Sequence, residues 1–224
     1  NSSAGMISIT TAAPEFMFSG HASATYGNYD QLRLEAGING PLSDTIAARI
    51  DGVYLKRDGF YTDVVNGTDV NNKDRYLVRG QLLFEPNDGL SIRVIGDYSK
   101  KDESCCAATF VQPEFAPQAR VSPGLDPFAL PQPGAVALTD PANPIIPVLL
   151  GLGQNPNALT QSTFNRDIYV TPGRSYAGET EDFGASVEVN AELGNMNLTS
   201  ITGYREYSNF QASDTDYTQV DILY

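Results

Sequence analysis

Polar and apolar residues alternate along most of this chain. From Gln31 to Asn39 the alternation is unbroken: Leu32, Leu34, Ala36 and Ile38 fall on one face, Gln31, Arg33, Glu35 and Asn39 on the other. That is the period-two signature of a strand with one apolar and one polar surface. Asp182 to Leu193 repeats it, with Phe183, Ala185, Val187, Val189, Ala191 and Leu193 opposite Ser186, Glu188, Asn190 and Glu192. Less cleanly, the same pattern predicts strands over about Phe18–Tyr26, Ile46–Arg57, Arg75–Phe84, Leu90–Lys100 and Asn197–Tyr207, the last ambiguous in phase. At about 9 to 12 residues these segments exceed the usual globular strand of about 5 to 6 and match the roughly 9 to 11 of a transmembrane β-strand. Ionised residues sit in mid-strand on the polar faces: Arg33, Glu35, Arg49, Asp51, Arg79, Arg93, Asp97 and Glu188.

Connections between the seven segments alternate in length. Gly40–Thr45, Glu85–Gly89 and Gly194–Met196 are tight turns of Gly, Asn, Asp and Pro. Asp58–Asp74 and roughly 101–181 are long, and only the first alternate connection, at Gly27-Asn28, is short. In an antiparallel meander alternate connections share an end, so the tight turns fall on one rim and the long loops on the other. Short periplasmic turns and long extracellular loops mark outer-membrane barrels. The predicted fold is therefore all-β: an antiparallel up-and-down meander forming the open, partial wall of a large transmembrane barrel, with unpaired edges at Phe18–Tyr26 and Asn197–Tyr207. The long loop holds most of the 14 prolines and, between Val111 and Asn165, only four charges. A short strand or helical turn is expected near Asn143–Leu152.

Composition narrows the function. The 14 Lys and Arg against 27 Asp and Glu leave a net charge of -13, and the basic residues are scattered, which argues against nucleic acid. No apolar run reaches the roughly 18 residues of a membrane-spanning helix. With one His and two Cys, a zinc finger lacks ligands. An enzyme embedded in the barrel would have to use His21, which has no nucleophile motif nearby; no catalytic role, cofactor or metal is expected. Asn1–Gly5 has neither a basic nor an apolar leader region, so the chain reads as starting inside a longer protein.

Other motifs have plain readings. The adjacent Cys105-Cys106 offers either two free thiols or a labile redox pair. Asp69–Asp74 hints at a calcium loop but lacks its Gly and its terminal Glu, Gly80 standing at that place, so a solvated Asp/Asn turn is expected. Asn66-Gly67-Thr68 and Asn197-Leu198-Thr199 match glycosylation sequons, which matter only in a eukaryotic secretory protein. Aromatic residues gather at strand ends (Phe16, Phe18, Tyr26, Tyr29, Tyr54, Phe60, Tyr61, Tyr98, Tyr204, Tyr207), as interfacial girdles or plain strand propensity would place them.

Three runs carry a family resemblance. Asn1–Pro14, with its Ile7-Ser-Ile9-Thr10-Thr-Ala-Ala-Pro14, is similar to the last plug strand of TonB-dependent outer-membrane receptors. Tyr26-Gly27-Asn28-Tyr29-Asp30 resembles the first barrel hairpin. Asn39–Asp44, Ala48-Arg49 and Arg57-Asp58-Gly59-Phe60 resemble the strands that follow. The likeness covers residues 1–104 and about 181–207. It implies a plug-filled barrel of about 22 strands in the bacterial outer membrane, taking up a scarce nutrient (an iron–siderophore complex, cobalamin or an oligosaccharide), energised by TonB through a segment upstream of Asn1. On that reading residues 1–15 end the plug and 16–224 begin the barrel, in contact with outer-membrane lipid. Arg33, Glu35, Arg49, Asp51, Arg79, Arg93 and Asp97 face the lumen, where they contact the plug or line the ligand path. The alternative is a soluble β-sandwich module binding a carbohydrate-type ligand, in which a second sheet covers the apolar face.

Overall fold

The computed structural model describes residues 5, 10–108, 149–159 and 166–222. Its strands are β1 (Ser19–Gly27), β2 (Gln31–Pro41), β3 (Ile46–Arg57), β4 (Tyr61–Asp63), β5 (Thr68–Val70), β6 (Lys73–Asn87), β7 (Leu90–Ser104), β8 (Asp167–Ile168), β9 (Ala177–Leu193) and β10 (Met196–Gln211). Seven of them form one sheet in the order β1-β2-β3-β6-β7-β9-β10. Each is beside its neighbour among the long strands, so this is the up-and-down meander expected from the sequence, open, with β1 and β10 as its edges. The chain divides into two compact units: residues 1–58, 73–103 and 178–210, which carry this sheet, and residues 59–72, 104–177 and 211–224.

In the first unit the cross-strand register settles the faces, because directly opposed residues share one. Leu34 opposes Ala24 and Tyr54, Tyr54 opposes Tyr76, Ile38 opposes Ile50, and Ala48 opposes Leu82, which opposes Val94. Leu32, Leu34, Ala36 and Ile38 thus lie on a continuous apolar face. The same ladders put Arg33, Glu35, Arg49, Asp51, Arg79, Arg93 and Asp97 together on the other. Hydrogen bonds from Tyr98 and Lys100 to Glu181 carry the apolar face onto β9 at Glu181. Alternation then gives it Phe183, Ala185, Val187, Val189, Ala191 and Leu193.

β10 departs from the pattern. Thr199, Arg205 and Asn209 bond polar-face partners on β7 and β9. That puts Ser200, Thr202 and Glu206 on the apolar side and Ile201 and Tyr207 on the polar side, which accounts for the ambiguous phase of this segment.

The strands are longer than the sequence pattern predicts, up to 17 residues in β9. They run on at the long-loop end past the last apolar position. A backbone ladder needs no apolar side chains, and here ion pairs accompany it: Lys100 Nζ with Glu179 and Glu181, and Arg75 Nε with Glu103 at 2.5 Å.

The second unit holds a small sheet in the order β5-β4-β8, with β4 parallel to β8. Asp58–Asp74, expected as a plain loop, thus contains a hairpin. Its core comes from three distant stretches: Val70, Ala107, Ile168, Val170 and Tyr176, with Tyr61 and Tyr217 against them. The expected solvated turn at Asp69–Asp74 is corrected accordingly. Val70 is buried, and Asn71 clasps Ala107 with two 3.0 Å bonds, its Nδ2 donating to the Ala107 carbonyl and its Oδ1 accepting from the Ala107 amide. Cys105 and Cys106 are joined as a disulfide. The Arg166 guanidinium lies 5.5 and 5.6 Å from the ring centres of Phe60 and Tyr61. Of the expected element near Asn143–Leu152, residues 143–148 lie outside the described residues and 149–151 make one helical turn.

The Tyr176 hydroxyl is buried without a hydrogen-bond partner among the described residues. Burial first, then the carboxylate of Asp214, pushes its pKa up. An orphaned hydroxyl costs about 1 kcal/mol or more, so Tyr176→Phe should stabilise this unit by about that amount at neutral pH. The raised pKa adds a pH dependence. The wild type keeps this residue's full contribution below the unfolded tyrosine pKa of about 10 and loses it as pH rises beyond. Tyr176→Phe should therefore unfold at higher pH in an alkaline titration followed by hydrogen exchange. A variant less stable than wild type at neutral pH would mean that the hydroxyl has a partner.

Candidate functional site

The polar face of the seven-stranded sheet gathers many of the sheet's ionised side chains. One rung crosses it through directly opposed residues: His21, Gly37, Asp51, Arg79 and Asp97. Charge alternates along it and onto β10. Arg49 donates to Asp51 from two nitrogens at 2.7 and 2.9 Å. Arg79 Nη2 lies 3.4 Å from Asp97 Oδ1, and Arg205 Nη2 donates to Asp97 Oδ2 at 2.8 Å. Asp182 Oδ1, 3.2 Å from Arg205 Nη2, adds an ion contact without hydrogen-bond geometry. Arg33 pairs with Glu35 on its own strand.

Two glycines make room for this belt. A Cβ on Gly37 would stand 2.4 Å from both Asp51 Oδ1 and His21 Cε1, and one on Gly184 would stand 3.3 Å from Arg205 Cζ and 3.2 Å from Asp97 Oδ1. The bare backbone of β2 therefore lets the His21 and Asp51 side chains close over it, and that of β9 lets Arg205 reach across to Asp97. Partly exposed pairs like these are worth about 0 to 1 kcal/mol each. Their consequence lies in where they hold charge, more than in stability.

A neighbouring rung holds a strap. Asn39, Arg49 and Gln81 oppose one another across β2, β3 and β6. Asn39, 3% exposed, accepts from the Glu15 amide at 2.8 Å and donates from Nδ2 to the Met17 carbonyl at 2.8 Å; Gln81 Nε2 donates to the Ala12 carbonyl at 2.9 Å. Side-chain amides can satisfy backbone donor and acceptor together, and here they fasten residues 12–17 to the polar face. Of the segment Asn1–Pro14 that carries part of the family resemblance, residues 1–4 and 6–9 lie outside the described residues.

Six of the seven candidate residues thus enter ion pairs on this face. Arg93 does not: it opposes Leu83 on β6 and makes no ion pair among the described residues. Sequence reasoning missed Arg205, Asp182, Asn39 and Gln81. The mid-strand polar positions of Asn39 and Gln81 were a usable signal, whereas Arg205 lay in the one strand of unclear phase. Among the described residues no group of three or more His, Cys, Asp or Glu is arranged to hold a metal ion. No helix among them is long and apolar enough to cross a membrane, which says nothing about strands. No protein-family model and no curated protein matches the chain, so the site is read from its geometry alone.

Proposed function

We propose that this chain forms part of the wall of a bacterial outer-membrane β-barrel transporter of the TonB-dependent class. In this reading the apolar face meets lipid, and the polar face borders a lumen whose plug ends at residue 15, inside the strap of residues 12–17. The observation that carries the reading is the apolar face itself. From Tyr54 to Ile46, Tyr76 to Phe84 and Tyr98 to Ile92 it holds no Asp, Glu, Lys or Arg. Its large side chains are nevertheless exposed, Leu34 by 42%, Ile50 by 51% and Leu82 by 48%. A soluble sandwich would cover them.

The band has edges. At the long-loop end it stops at Tyr54, Tyr76 and Tyr98, the last two with ring centres 5.9 Å apart, and beyond them on the same face come Lys56, Asp74 and Lys100. Tyr76 to Phe84 spans about 27 Å along the strand at roughly 3.4 Å per residue. Tilted by about 40°, that is a height of about 21 Å, close to the roughly 25 Å apolar band of outer-membrane barrels. Aromatic rows at such edges match interfacial girdles. The uptake of a scarce nutrient and its energising through TonB rest on the family resemblance of residues 1–104 and about 181–207.

Site-directed spin labels test the reading on the full-length protein in lipid vesicles. Labels at Leu34, Ile50 and Leu82 should be accessible to oxygen and shielded from a water-soluble nickel chelate. Labels at Arg33 and Glu35 should show the reverse. The same accessibility on both faces would refute a lipid-facing surface.

A further inference from the structure

We infer that the polar face carries a binding site for the anionic group, a carboxylate or a phosphate, of a small molecule, built around Arg79, Arg93 and Arg205. These three guanidiniums line one cavity of about 500 Å³, together with Thr10, Thr11 and Ser186. That volume lies within the range of small-molecule sites. Among the described residues Asp97 is the only carboxylate lining it, and it already serves both Arg79 and Arg205; Asp182 neighbours Arg205 at 3.2 Å. Three fixed positive charges against these two leave the cavity cationic.

One of the three guanidiniums, that of Arg93, is also left without an ion pair among the described residues. Arg93 opposes Leu83 across β6 and β7, so no carboxylate stands directly across from it on β6. A guanidinium stays charged at every accessible pH, and its planar fork matches the oxygens of a carboxylate or phosphate. Arg93, with no carboxylate partner among the described residues, is the guanidinium on which such a group finds least competition. Gly184 and Gly203 line the same cavity without side chains to fill it, while hydroxyls at Ser186 and Thr11 add further donors. The site does not depend on membrane insertion: it belongs to the polar face whether that face borders a lumen or bulk solvent.

The test is calorimetric titration of the full-length protein, in detergent micelles at constant ionic strength, with inorganic phosphate and with succinate. Saturable binding of at least one is expected. Arg93→Gln should weaken it at least about tenfold, the loss of one charge-assisted interaction. Arg93→Lys, which keeps the charge and removes the fork, should also weaken it while preserving the fold as judged by heat-modifiable mobility. Lys56→Gln, on the opposite face, should leave affinity unchanged. No saturable binding of either anion would overturn the inference; that is also the result if a carboxylate of the chain itself fills the cavity. Equal affinity in the wild type and folded Arg93→Lys would overturn it as well. Neither failure bears on the spin-label result, which reports the other face.

Discussion

Replacing Val187 by Arg is expected to block or strongly slow membrane assembly, whereas Glu188→Ala beside it should be tolerated. Val187 lies well inside β9 on the face shared with Phe183. Glu188 points to the other face, where it accepts from Asn190 Nδ2 at 3.0 Å. An arginine on the lipid side of a barrel costs roughly 2 to 4 kcal/mol at the bilayer midplane, a factor of about 30 to 1,000 in an equilibrium constant. Removing Glu188 takes away one half-exposed hydrogen bond, worth about 1 kcal/mol or less. Both variants would be made in the full-length protein and scored by heat-modifiable gel mobility after folding into vesicles. Equal folded fractions would count against a lipid-facing Val187 and so against the membrane reading as a whole.

Gly59→Ala should unfold the second unit while leaving the seven-stranded sheet intact. A Cβ at Gly59 would stand 2.6 Å from both Val70 N and Val70 O and 2.8 Å from Asp69 C. All three are backbone atoms, so no side chain can swing away. The hairpin must open at the point where the Phe60 amide donates to the Val70 carbonyl at 3.1 Å, and Val70 belongs to the core. Overpacking costs about 1 to 3 kcal/mol, and contact with backbone that cannot swing away puts this site at the upper end. Gly67 supplies the comparison. It has φ +71°, and a Cβ there would meet nothing within 4 Å, so Gly67→Ala carries only the left-handed backbone penalty of about 1 kcal/mol. Hydrogen exchange should show peptides over 59–72 opening far more in Gly59→Ala than in Gly67→Ala, with β2 and β3 unchanged in both. Matching exchange in the two variants would show that the hairpin accommodates the methyl by a backbone shift.

The strands, their faces and their order were legible in the sequence because each is a local property. Alternation in Gln31–Asn39 or Asp182–Leu193 needs only that neighbouring side chains point opposite ways. Short turns such as Gly194-Asn195 leave consecutive strands little choice but to pair antiparallel. The same logic placed Arg33, Glu35, Arg49, Asp51, Arg79, Arg93 and Asp97 on one face before any register was known. It failed at β10, where the polar and apolar residues do not separate cleanly.

What the tertiary structure alone decided is which of those residues meet. Registers such as Asp51 against Arg79, and Arg79 against Asp97, depend on how strands slide past one another, and a shift of two residues would preserve every face while changing every pair. The reach of Arg205 over Gly184 to Asp97 joins residues 108 positions apart, and the strap held by Asn39 and Gln81 joins residues up to 69 apart. The second unit's core likewise draws on Val70, Ala107 and Ile168, each in a segment too short or irregular to show a period. Local side-chain direction is written in the order of residues. Long-range pairing is settled only when backbone hydrogen bonds, glycine gaps and buried side chains are satisfied together in three dimensions.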